Sequence, residues 1–199
     1  MFRYRTGRRT KPWNKNCIAL GLASGFLEPV ESTSIHLAMS AIFRLMRLLP
    51  QGEILDVNVE EFNRQTLQEM DQVRNFIVLH YYVTQRKDTP FWRYCASMDV
   101  PKELQHRIDL FKKTGAIQLG EKELFRIDSW VQVMLGQHIG LETYHPIVDL
   151  MGDKELAGFL ETIRQQVKSN AAKIPSHQEF IEQYCKTPVS MVADPDGGA

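Results

Sequence analysis

This sequence is poor in the residues that settle a function by themselves. It holds three cysteines in 199 residues, Cys17, Cys95 and Cys185, odd in number and far apart. That suits buried thiols in a reducing compartment better than a disulfide framework. No CxxC, HxxxH or HExxH spacing occurs, so no metal site is expected. No apolar run approaches the roughly 20 residues that a membrane-spanning helix needs. Met1-Phe2 leads directly into charged residues without the apolar stretch of a signal peptide, and a cytoplasmic protein is expected. An excess of either charge is also missing. With 24 basic and 24 acidic side chains, no global field points to nucleic acid or to a membrane surface as partner. There is no internal repeat and no low-complexity segment.

What is present is enough apolar material, 43% of the residues, to bury a core in about one domain. Charge is locally one-sided only at the front, where Arg3, Arg5, Arg8, Arg9, Lys11 and Lys15 occur with no acid among residues 1–15. Such an arm is either a polyanion-binding tail or a solvated strand edge.

Residues 2–6 and 16–22 are short β-compatible pieces around a polar turn at 7–14. From Ser32 the period becomes helical. Ile35, Met39, Ile42, Leu45, Met46 and Leu49 recur at three- and four-residue steps until Pro50. Asn58 followed by Glu61 is spaced as a capping box, opening a long helix with an apolar line at Phe62, Met70, Val73, Ile77 and Tyr81. Pro101 at a first helical position begins a third helix that ends near Gly115. A short helix follows over 129–136, Asp153 caps another through Gln166, and Ser176 with Glu179 caps a last one ending near Cys185. The tail from Lys186 to Ala199 reads as disordered.

The expected fold class is therefore mainly α, with a short β element at the N-terminus. Two short strands do not make an independent sheet. A glycine-rich turn from strand to helix ordinarily belongs to a larger α/β unit, so residues 1–31 read as the edge of a sheet whose remainder lies elsewhere.

The most informative stretch is Gly25-Phe26-Leu27-Glu28-Pro29-Val30-Glu31-Ser32-Thr33-Ser34. It follows the apolar run from Cys17 to Leu22, with Gly21 and Gly25 about a turn, and ends in hydroxyls that open an amphipathic helix. A helix start offers unpaired N–H groups and the positive end of a dipole, which suits an anion. The hydroxyls of Ser32 and Thr33 are expected to cap it. Glu31 at that point is either a dipole-complementing carboxylate or a group that moves a proton.

The run from Trp13 to Leu37, centred on Gly21-Leu22-Ala23-Ser24-Gly25-Phe26-Leu27-Glu28-Pro29-Val30-Glu31-Ser32-Thr33-Ser34, closely resembles the flavin-dependent tryptophan halogenases. His80-Tyr81-Tyr82, Asp88-Thr89-Pro90-Phe91-Trp92 and Ser129-Trp130-Val131-Gln132-Val133-Met134-Leu135-Gly136-Gln137 resemble further segments of that family. The resemblance implies an enzyme that uses reduced FAD, oxygen and chloride or bromide to make hypohalous acid, which halogenates an electron-rich arene, usually an indole. It implies Glu31 and Ser32 as catalytic residues, with Glu31 accepting the arene's proton. The N–H groups of Thr33 and Ser34 would hold the halide, and Gly21, Leu22, Ala23, Ser24, Gly25 and Phe26 would run along the FAD. A small aromatic substrate and a separate flavin reductase would be the partners.

The resemblance covers only the C-terminal part of such an enzyme. The dinucleotide-binding glycine motif, the WxWxIP signature and the lysine linked to the oxidant are absent. The implied organisation is a flavin-domain edge over 1–31, a helical substrate-binding region over 32–185 and the tail 186–199. A missing N-terminal FAD-binding region would be a further partner, and the 199 residues alone are expected to be inactive. Relatives that take free tryptophan hold it with an aromatic-rich stretch before the 129–136 helix. Here that stretch, 112–122, has no aromatic residue, so indole itself, a substituted indole or a larger tryptophan-bearing molecule is the better candidate.

Outside that run the residues read as packing. Phe91-Trp92 and Trp130 read as core aromatics, Tyr81-Tyr82 as a helical packing stripe, and His36, His80, His106, His138, His145 and His177 as scattered, with no ligand set among them. The alternative to a halogenase part is a non-catalytic helical binding or interaction module, which an exposed apolar face would favour.

Overall fold

The structure is a computed structural model that describes residues 6–120 and 122–186. Most of the expected strand over 2–6, and the tail beyond Lys186, lie outside the described residues. The described chain is predominantly helical, with strands only near its front, and it falls into two compact units divided between His145 and Pro146.

The β element consists of two small antiparallel ladders. The strand β1 (Gly7–Arg8) pairs with β4 (Gly25–Phe26), and β2 (Trp13–Asn14) pairs with β3 (Cys17–Ile18) around a turn in which Lys15 takes φ 55°. The expected strand over 16–22 is cut short after Ile18. The Ala19 N–H donates to the Pro12 carbonyl at 2.8 Å, and Gly21, at φ 53°, turns the chain into a single 3-10 turn, Gly21–Ala23. What secures the hairpin is Trp13, which is fully buried. Its N–H donates to Asn63 Oδ1 at 2.7 Å, and Asn63 Nδ2 donates to its carbonyl at 2.9 Å. An amide side chain thus stands where a neighbouring strand would be, while the indole meets Phe62 edge-on at 5.6 Å.

Five helices complete the first unit: α1 (Ser34–Leu48), α2 (Asp56–Tyr82), α3 (Pro90–Cys95), α4 (Lys102–Thr114) and α5 (Ile127–Gly136). With 27 residues, α2 is about 40 Å long and serves as the spine. Its Phe76 and Leu79, with Val83 just past its end, pack with Leu104, Ile108 and Phe111 of α4 and with Trp130 and Met134 of α5 into the main core. Phe62, Met70, Val73 and Ile77 are buried as their spacing predicts. Among the described residues no helix is long and apolar enough to cross a membrane.

Several local expectations give way. No capping box forms at Asn58: its Nδ2 donates to the Leu48 carbonyl at 2.9 Å, satisfying the end of α1, and Glu61 pairs with Arg64 instead. Pro101 stands just before α4 rather than within it. The Thr89-Pro90 pair opens α3, with Thr89 Oγ1 accepting from the Trp92 N–H. The largest departure is α1. Ile35, Met39, Ile42, Phe43, Met46 and Leu49 are exposed, Ile35 by 75%, while Ala41 and the charged Arg44 are the buried residues of this helix. All three cysteines are free, and only Cys95 is buried, because Cys17 sits in the exposed hairpin and Cys185 in the exposed second unit.

The second unit contains α6 (Asp153–Ala171), five residues longer than its spacing suggests, and α7 (His177–Phe180), continued by a wider turn to Cys185. The capping box at its last helix is complete, with Ser176 and Glu179 exchanging hydrogen bonds. The carboxyl of Glu179 is lowered by its bonds from Ser176. No described residue of this unit is buried.

Candidate active site

The stretch 21–26 is built around close approach. A Cβ placed on Gly25 would stand 2.5 Å from Met70 Cε, 2.9 Å from the Gly7 carbonyl oxygen and 3.0 Å from Arg8 Cα. Only the methionine tip can move aside cheaply. Gly25→Ala is therefore expected to part β1 from β4 and to destabilise the fold by about 2 kcal/mol, measured as a lower urea midpoint.

On the other side of this contact lies an open cleft of about 670 Å³, lined by Thr6, Gly7, Arg8, Arg9 and the run from Leu22 to Phe26. Arg9 is fixed in its wall, the N–H donating to the Ser24 carbonyl at 2.8 Å and Nε to the Ala23 carbonyl at 2.6 Å. Arg8 is held by Asp71 at 2.9 Å. The basic residues that read as a polyanion arm or strand edge are thus, at these two positions, built into the cleft. Ser24 is buried, and its Oγ has no partner. An apolar wall, a cationic rim and an unused hydroxyl suit a flat, mostly apolar ring with a polar edge, so the residues present fit a flavin.

Beyond the cleft the chain makes a second 3-10 turn, Pro29–Glu31, closed by the Ser32 N–H donating to the Pro29 carbonyl at 2.9 Å. Ser32 takes the left-handed conformation, φ 52° and ψ 36°, which is unusual for a non-glycine residue. That reversal delays α1 to Ser34. The expected hydroxyl caps do not form. Thr33 stands at the cap position with φ −81° and ψ −5°, and a side-chain cap needs an extended backbone there. Its burial is nevertheless nearly complete. As the cap and first residues of α1, Thr33 and Ser34 carry N–H groups with no acceptor inside the helix. Ser34 also borders a hollow of about 20 Å³ that Gly21, Ser24, Gly25, Leu37 and Met70 help to line, room for one water-sized species. Glu69 borders it too, but its carboxylate is already taken by Ser40 and Arg44.

Glu31 is not in bulk water. Its Oε1 lies 2.9 Å from His80 Nε2, and its side chain is 29% exposed. His80 Nδ1 in turn lies 2.8 Å from the Phe76 carbonyl oxygen. The neighbouring Tyr81 hydroxyl is pushed up from its ordinary pKa by burial and by a hydrogen bond to Glu28. Two successive residues at the end of α2 therefore face the two acids of the 28–31 turn, and His80 is bonded to Glu31. Tyr81 also stacks on Trp92 at 5.9 Å and meets Phe91 edge-on. That aromatic group is superficial: Phe91 is 56% exposed, against the core reading, because α3 is a single short helix on the flank of α2. Trp130, by contrast, is core, with the Phe76 ring at 4.9 Å and the Arg107 guanidinium over its face at 4.3 Å.

Residues 1–153 match the family model for tryptophan halogenase. The chain belongs to the tryptophan halogenase family. Among solved structures it is similar to Xcc4156, a flavin-dependent halogenase from Xanthomonas campestris, with 50% identity and a TM-score of 0.88 over 94% of this chain and 38% of that one. BrvH, a flavin-dependent halogenase from Brevundimonas sp. BAL3, gives 40% and 0.84 over 90% of this chain and 37% of its own. The tryptophan 6-halogenase SttH of Streptomyces toxytricini is 39% identical over 61% of this chain and 22% of that protein. This halogenase-family chain thus spans about a fifth of the curated relatives it matches and under two fifths of these structures.

Of the positions singled out from sequence, the structure gathers 22–26 along the cleft and gathers Glu31, Ser32, Thr33 and Ser34 at the turn into α1. What the sequence reading passed over is His80, read as scattered. It is 49 positions from Glu31, and the one available signal was its place in the His80-Tyr81-Tyr82 segment.

Proposed function

We propose that this chain is the substrate-side part of a flavin-dependent halogenase that halogenates an indole-type arene with chloride or bromide. In this reading residues 1–31 are the edge of the flavin domain and 32–185 the substrate-binding region. Gly21, Leu22, Ala23, Ser24, Gly25 and Phe26, with Arg8 and Arg9, would hold FAD. Reduced FAD, supplied by a separate reductase, would provide two of the four electrons that reduce oxygen, and the halide, oxidised to hypohalous acid, would provide the other two. The N–H groups of Thr33 and Ser34 would hold the halide, where the start of α1 favours an anion.

The chain's own chemistry is the transfer of a proton. The arene carbon attacks the halogen of hypohalous acid, the oxygen–halogen bond breaks, and hydroxide departs, to leave as water with the proton that Glu31 takes from the arene. The same carbon then loses its hydrogen to the Glu31 carboxylate, and the C–H electron pair restores the ring. Such a ring cation is a strong acid, so a carboxylate of ordinary basicity suffices if it is well placed.

The observation that carries this reading is a part-buried carboxylate, bonded to His80, at the turn into α1, two residues from N–H groups with no acceptor inside the helix and a few residues past a flavin-sized cleft. Against free tryptophan stands the loop before α5. Its buried acid, Glu123, is bound by Arg107 at 2.7 and 3.0 Å and by the Gly120 N–H, and so is already committed rather than open to a substrate's ammonium.

The exposed apolar line of α1 favours a second reading, a non-catalytic interaction module. One experiment separates the two. The 199-residue chain is assayed alone and fused behind the N-terminal part of the Xanthomonas relative, with reduced FAD, oxygen, bromide and indole, and products are read by mass spectrometry. Bromoindole from the fusion and none from the chain alone is the expected result. No bromoindole from either supports the module, and bromination by the chain alone overturns its proposed dependence on an N-terminal part.

A further inference from the structure

The proposed base has a partner that the fold supplies from elsewhere in the chain. We propose that His80 is the positioning residue of Glu31, aiming its carboxyl group so that one oxygen is fixed and the other is free for the arene's proton. This rests on the halogenase reading and adds a residue to it.

The argument is one of donors and acceptors. A carbonyl oxygen has no proton to give, so His80 Nδ1, 2.8 Å from the Phe76 oxygen, is the donor in that contact. A neutral ring protonated at Nδ1 presents a bare lone pair at Nε2. That lone pair would face Glu31 Oε1 at 2.9 Å, two acceptors with nothing between them. The contact is sound only with a proton between the two, and carried by the ring it makes an Nε2–H that donates to Glu31 Oε1. Glu31 Oε1 is then occupied, and Oε2 is left as the acceptor.

Rigidity follows from where His80 stands. Its ring meets Phe76 edge-on at 4.8 Å, and Phe76 is part of the main core, stacked on Phe125 at 3.9 Å. The 28–31 turn has no buried residue of its own. Its acid would otherwise sample several rotamers, and the bond to His80 refers it to the core of α2. A merely structural pair is a poor account of this arrangement, because an ion pair with both side chains about a quarter exposed adds little to stability.

The test uses the 199-residue chain and two variants whose predictions cross. His80→Phe keeps an aromatic ring against Phe76 but has no donor, whereas His80→Gln loses the ring but keeps an N–H for Glu31. The Glu31 carboxyl is followed by 13C NMR and the His80 ring by 15N NMR. In the wild type a low-field Nε2–H signal is expected, absent in Glu31→Gln. The Glu31 carboxyl signal should shift in His80→Phe and return toward the wild-type position in His80→Gln. A missing ring N–H signal, one that persists in Glu31→Gln, or a carboxyl signal unmoved by His80→Phe overturns the proposal. In the fused protein, His80→Phe should lower kcat about 100-fold with KM within about two-fold, and His80→Gln should recover most of it. A role in packing alone predicts the reverse order of the two variants. Full bromination by His80→Phe overturns the inference while leaving the halogenase reading intact. A wild-type fusion that does not brominate overturns that reading, and the NMR result on the chain still decides the pair.

Discussion

Glu31→Gln in the fused protein is expected to lower kcat for indole bromination by about 10² to 10³-fold while KM stays within about two-fold. The amide is nearly isosteric with the carboxylate and can offer an N–H to the Nε2 lone pair of a neutral His80 ring, so the turn into α1 should keep its shape. What it loses is basicity, and a positioned general base contributes about 10² to 10⁴ in rate. Because the interaction lost is made only as the proton leaves, the loss belongs in kcat rather than in KM. Stability should hardly change, since the Glu31–His80 pair is part-exposed, and a thermal midpoint within about 2 °C of wild type would separate a chemical from a folding defect. A variant that brominates at the wild-type rate would remove Glu31 from the proton transfer.

The contrast between Glu31 and His80 marks what the sequence could and could not convey. Glu31 and its neighbours were legible because they are contiguous: a glycine turn, an acid and a helix start within 14 positions carry their geometry in the local chain. The helices were legible for the same reason, down to the Ser176–Glu179 capping box, since periodicity and caps act over one or two turns. His80 was not legible, because nothing local distinguishes a histidine on a packing stripe from one that meets a carboxylate 49 positions away. The strand over 16–22 failed for a related reason. Its end is set by the Ala19–Pro12 bond and by Trp13 pairing with the side chain of Asn63, contacts that no alternation pattern encodes. The cap at Ser32 and Thr33 failed because composition gives the right residue types but not the left-handed turn that precedes them.

The face of α1 was the least legible feature, and it yields the second large expected effect. Its apolar spacing points to a core-facing stripe, yet α1 is seated on α2 through a polar network. Arg44, 6% exposed, reaches Thr66 Oγ1 at 2.8 Å, Gln65 Oε1 at 3.2 Å and Glu69 Oε2 at 2.8 Å, and Ser40 Oγ donates to both oxygens of Glu69. His36 stands 3.3 Å from the same carboxylate. Removing one member strands the other: Arg44→Met should leave the Glu69 charge short of its main partner and cost about 3 kcal/mol, read as a lower urea midpoint. Replacing both, as Arg44→Met with Glu69→Leu, removes the stranded charge and should recover at least half of that loss, because a paired buried ion is worth little more than a well-packed apolar pair. The two single effects will therefore not add. Equal stability of Arg44→Met and wild type would mean that α1 is held by something other than this buried arginine.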